Sequence, residues 1–121
     1  MIRMDDKEHP VPELWRSKFE EIAAALAAGD FQICNSPVDG LEPVDLETAN
    51  HVIGNIVAYG DPLTLLDDAT WNQSVYRWMG DCWQVLVDLS TIDEPVSDLT
   101  LHATVYEADC SRLKIESVHV P

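Results

Sequence analysis

Between Phe19 and Ser111 the sequence has one basic residue, Arg77, against seventeen acids running from Glu20 to Asp109. Over the whole chain seven Lys and Arg face twenty-two Asp and Glu, for a net charge of −15. Affinity for nucleic-acid phosphates comes from Lys/Arg neutralisation and counterion release, so this deficit argues against nucleic acid as a ligand. It argues equally against an anionic membrane surface. A basic partner is what such a body attracts, at a salt-dependent rate. The same acidity also serves solubility alone.

Other things are missing. No apolar run approaches the ~20 residues of a membrane helix. The opening MIRMDDKEHP has acids where a secretory signal would have a basic and then an apolar stretch, so no targeting segment is expected. Cys34, Cys82 and Cys110 are odd in number and share no C-x-x-C spacing, which fits reduced structural thiols and a cytoplasmic location. His9, His51, His102 and His119 are scattered, none at ligand spacing from another His or Cys. There is no G-x-S-x-G elbow, no P-loop and no G-x-G-x-x-G. Asp67-Asp68 could in principle do acid–base work or hold a divalent ion. Adjacent acids ahead of a Trp more often form a cap or a solvated corner. No catalytic, cofactor or metal residue is therefore assigned, and an enzyme is not expected.

What is present is organised by VYRWMGDCWQVLVDLS, residues 75–90. Two alternating runs flank Gly80-Asp81, which suits a two-residue II′ or I′ turn. That turn sets Trp78 opposite Trp83 and Tyr76 opposite Val85. One face then carries Tyr76, Trp78, Trp83, Val85, Val87 and Leu89, a core face. The other carries Val75, Arg77, Met79, Cys82, Gln84, Leu86 and Asp88, which is mixed.

Before the hairpin, residues 1–10 read as a flexible leader. In VPELWRSKFEEIAAALAAGD, Trp15, Phe19, Ile22 and Leu26 recur at helical spacing, Pro12 suits the first turn and Gly29 the end. FQIC could be a short strand. Asp45 looks like the N-cap of a second helix, with Ala49, Val52, Ile53, Ile56 and Val57 as its buried stripe and Gly54 marking close approach to a sheet. DPLTLLDDATW reads as a short helical piece. After the hairpin, DLTLHATVYEA alternates strictly. In LKIESVHVP, Leu113 and Ile115 lie on one phase and Val118 and Val120 on the other, which a β-bulge near Glu116-Ser117 would reconcile. His102 and His119 could then be neighbours on the outer face. The expected fold is α+β, with two or three N-terminal helices packed on a four-stranded antiparallel β-meander. Residues 11–121 are long enough for one domain with its own core.

Without a catalytic motif, the candidate site is a binding surface. Trp and Tyr dominate interface hot spots. Trp15, Trp78 and Trp83 are claimed by the core, which leaves Trp71 with Asp61, Asp67, Asp68 and the turn acid Asp81 around it. The outer sheet face adds Arg77, Asp88 and Tyr106. These eight form the expected partner surface.

The stretch from WQVLVDLS through EPVSDLTLHATVYE to LKIESVHVP resembles a group of small acidic bacterial proteins without assigned chemistry. SDLTL and the closing HV carry that resemblance. More loosely, the whole chain is similar to immunity proteins of bacterial toxin systems, including contact-dependent growth inhibition. The resemblance implies a cytoplasmic monomer that binds a cognate toxin domain one to one, the toxin often being a basic nuclease. Two alternatives stand beside it: a small-molecule-binding or catalytic α+β domain, and a subunit that uses its outer sheet face in an assembly.

Overall fold

The computed structural model describes residues 2–35 and 37–121. In chain order its elements are β1 (His9–Pro10), α1 (Glu13–Ala27), α2 (Leu46–Tyr59), a 3-10 helix (Asp68–Asn72), β2 (Val75–Trp78), β3 (Cys82–Asp88), β4 (Thr100–Tyr106) and β5 (Leu113–His119). The strands form one antiparallel sheet in the order β1-β2-β3-β4-β5. The class is α+β, with two α-helices and five strands where the sequence predicts four.

The hairpin has the register its turn dictates, Trp78 facing Trp83 and Tyr76 facing Val85. Met79 N–H donates to the Cys82 carbonyl at 2.8 Å, closing the two-residue turn. Gly80 has φ +96° while Asp81 is not among the positive-φ residues, the signature of type II′ over I′. The turn needs its glycine there.

The extra strand lies within the segment read as a leader. His9 pairs with Tyr76 and Pro10 with Val75. Proline is tolerated because this is the sheet edge. Upstream, Trp83 Nε1 donates to the Arg3 carbonyl at 2.9 Å, and Arg3 N–H donates to the Tyr76 hydroxyl at 2.8 Å. The polar tips of two core aromatics thus find partners in the N-terminal backbone. A two-residue strand has no alternation for sequence reading to detect.

Helix α1 buries Trp15, Phe19, Ile22 and Leu26, as its spacing predicts. Its end is a Schellman motif: Asp30 N–H donates to Ala25 O at 2.9 Å and Gly29 N–H to Leu26 O at 3.1 Å, with Gly29 at φ +82°. Trp15 packs against Tyr76 and Trp83, with ring centroids 5.4 and 5.8 Å away, so α1 covers the aromatic face. After α1, FQIC is not a strand. The Asp30 carboxylate gathers the backbone N–H groups of Cys34 and Asn35 instead, and Ile33 sits at φ +53°.

Asp45 caps α2 by accepting from Thr48 N–H at 2.7 Å. The predicted buried stripe is only half realised. Ala49 and Val52 are buried, Ile53 and Ile56 are half-buried, and Val57 is 73% exposed. Gly54 does not mark a close approach to the sheet, since a Cβ built there would meet nothing within 4 Å. The helix sits along β5, with Asn55 Nδ2 donating to the Val118 carbonyl at 2.8 Å. Leu101 opposes Val118, Ala103 opposes Ile115 and His102 opposes Ser117, so Glu116 is the extra residue of the predicted bulge. Among the described residues no helix is long and apolar enough to cross a membrane.

Candidate functional site

The features most suited to binding converge where two loops meet. Gly60 ends α2 in the left-handed region at φ +83° and turns the chain into residues 61–68. This segment is laid against residues 90–98, which follow β3. Thr64 N–H donates to Ser90 O and Ile92 N–H to Pro62 O, both at 3.0 Å, around an antiparallel bridge between Leu63 and Thr91. Side chains complete the seam. The Asp61 carboxylate accepts the Thr91 hydroxyl at 2.5 Å and the Asp93 N–H at 3.3 Å. Ser90 Oγ accepts from Asp67 N–H at 2.9 Å and donates to Pro95 O at 2.6 Å. The Tyr59 hydroxyl donates to Glu94 Oε1 and accepts from Asp98 N–H.

The outcome is an acidic corner carrying Asp61, Asp67, Asp68, Asp93, Glu94 and Asp98. Neither segment contains a Lys or Arg. Asp67, Asp68, Asp93 and Asp98 are exposed, and Leu65 and Ile92 stand out of the same two segments at 66% and 68% exposure. Two groups beside these acids have raised pKa values. The Tyr59 phenol is raised above its ordinary range, first because Glu94 accepts its proton in a hydrogen bond, with burial and the charges of Glu94 and Asp98 adding. Asp88, on the neighbouring end of β3, is raised by burial and further by the Asp98 charge, against the bond it accepts from Thr100.

Several cations are committed to other parts of the fold. Lys18 Nζ donates to the carbonyls of Asp39 and Ser111. Arg112 pairs with Glu42 at 2.8 Å and stacks on Tyr106. Arg16 donates to Val11 O and lies 5.3 Å over the Trp71 ring.

The eight sequence-predicted residues therefore separate. Asp61, Asp67 and Asp68 belong to the corner, with Asp67 Oδ1 also accepting from Ala69 N–H to cap the 3-10 helix. Asp88 borders the corner. Trp71 is no exposed anchor: it is 8% exposed beneath Arg16, in the floor of a groove of about 530 Å³ that Glu13, Glu20 and Asp68 also line. Asp81 and Tyr106 lie at the opposite end of the sheet, about 20 Å from Asp88 at the usual rise per strand residue, and Arg77, opposite Gln84, is about 13 Å along it. Asp93, Glu94 and Asp98 are not among the eight and lie in the loop between β3 and β4. Their clustering on TIDEPVSD was the available signal.

His102 and His119 do meet on the outer face, stacked 4.0 Å apart at 13°. Burial and the His119 charge push the His102 imidazole below its ordinary pKa. Among the described residues no group of three His, Cys, Asp or Glu could hold a metal ion.

Residues 23–121 match the model of a family described as a domain of unknown function, DUF7668. No curated protein and no solved structure matches the chain.

Proposed function

We propose that this chain, which belongs to the DUF7668 family, works by binding a basic protein domain through its acidic corner, in the manner of an immunity protein that blocks a toxin. One observation carries the reading: six carboxylates stand on two hydrogen-bonded segments that contain no cation. The natural counterpart of such a surface is a cleft lined with Lys and Arg, and a nuclease has one where it holds phosphates. Asp68, Asp93 and Asp98 would take the phosphate positions and exclude the substrate.

The seam between the two segments matters for this role. Because backbone and side-chain bonds already fix the loops, little ordering entropy remains to be lost on binding. Long-range attraction raises the encounter rate, and close interfacial charge pairs couple by ~1.5–7 kcal/mol. Leu65 and Ile92 supply the apolar contact that buried Trp71 cannot. The cytoplasm is the compartment in which such a protein would meet its toxin.

The test is capture from source cells with tagged protein at physiological and high salt, read by mass spectrometry. A single stoichiometric basic protein, released as salt rises, is the expected result. A neutral or acidic protein held equally at both salts would overturn the reading.

A further inference from the structure

Helix α2 is more apolar than its burial explains. Leu46, Ile53 and Val57 recur at i, i+7 and i+11 and so lie along one line of the helix. Leu46 is 63% and Val57 73% exposed, and Ile53 is half-buried. On the same flank is Gly54, exposed, with open space where its Cβ would be. A glycine inside a helix is destabilising relative to alanine, and none of the described residues approaches closely enough to require it. The row is short of charge, with only Glu47 as an acid in the whole helix.

We infer that this flank of α2 continues the binding surface, and that its occupant is a basic amphipathic segment of the partner. Apolar side chains of that segment pack on Leu46, Ile53 and Val57, with its backbone nearest at Gly54. Its Lys and Arg side chains reach Asp61 and the acids beyond, because the row ends one turn before the Gly60 turn that leads into the corner. Charge selects this occupant over a second copy, since two bodies of −15 repel. The inference rests on the acidic-corner reading and adds a second contact to it.

A synthetic peptide of about twenty residues, Leu and Lys at helical spacing, serves as the probe. It is titrated into the ¹⁵N-labelled full chain and followed by NMR. Amide shifts are expected at 46, 50, 53, 54 and 57 together with 61, 93, 94 and 96–98. Leu46→Ser with Val57→Ser, exposed positions that leave the net charge unchanged, should weaken binding by at least about tenfold. Gly54→Leu should weaken it too while the free protein stays folded by circular dichroism. Shifts confined to the corner, with the serine variant binding normally, overturn the α2 contact and leave the corner reading standing. Binding that ignores Asp68→Asn, Asp93→Asn and Asp98→Asn together overturns the corner reading itself. No shift at all, or α2 shifts that appear on concentrating the free protein, overturns the proposed occupant.

Discussion

The carboxylate of Asp61 accepts the hydroxyl proton of Thr91 at 2.5 Å and so ties the loop after α2 to the loop after β3. Thr91 is 2% exposed, and its Oγ1 also accepts from Glu94 N–H at 3.2 Å. One buried hydroxyl therefore organises acids on both loops. Thr91→Val keeps the shape and removes both bonds, which should cost about 1–2 kcal/mol by urea denaturation. Hydrogen exchange at the amides of Asp93 and Glu94 should quicken while the β3 core stays protected. Unchanged exchange there would show that the seam is held by its backbone bonds alone.

Two glycines should respond in opposite directions to the same added methyl group. At Gly40, φ is +81° and a Cβ would lie 1.9 Å from the Ser111 carbonyl oxygen, which backbone cannot yield cheaply. The Gly40 carbonyl also accepts from Leu113 N–H, so any shift disturbs the start of β5. Gly40→Ala is expected to destabilise by about 3 kcal/mol or more. Gly54 has helical backbone and open space, so Gly54→Ala should stabilise by about 0.5–1 kcal/mol. Thermal melts of the two variants decide this.

Asp88 should make stability depend on pH in a particular direction. Burial is the main cause that raises its folded pKa above the unfolded value, so the folded state disfavours its ionised form. The resulting penalty is absent below the unfolded pKa, grows as pH rises through the two values and is full above the folded one. Asp88→Asn, which keeps an oxygen to accept from Thr100, should therefore be more stable than the parent at neutral pH. The difference should vanish by about pH 3, below the ordinary carboxylate range. A difference that persisted at pH 3 would assign the effect to packing.

Most of the sheet was legible because its signals are local. Gly80-Asp81 fixes the hairpin register, strict alternation fixes β4, and the phase change between Ile115 and Val118 locates the bulge at Glu116. The caps at Asp45 and Gly29 follow from side-chain and backbone chemistry within a few residues. What was not legible depends on tertiary partners. β1 is made by pairing with β2, some sixty-five residues away in sequence, and Arg3 upstream of it meets the polar tips of Tyr76 and Trp83. Trp71 is buried because Arg16 on α1 closes over it, and no local pattern announces that. Ile53 and Val57 satisfy a helical period equally well whether a sheet or a partner covers them. Of the site, the acids of residues 61–68 could be named from sequence, whereas Asp93, Glu94 and Asp98 required the fold to bring the second loop alongside.

The central claim is that the corner carboxylates carry the binding. Its most direct test is calorimetric titration of the captured partner into the parent and into the variant combining Asp68→Asn, Asp93→Asn and Asp98→Asn, at several salt concentrations. These three side chains are exposed, so the variant should fold normally. At about 1.5 kcal/mol for each lost pair, the low end of the coupling range, affinity should fall by at least about a thousandfold and its salt dependence should flatten. An unchanged Kd with an unchanged salt slope would contradict the account and place the interface on another face.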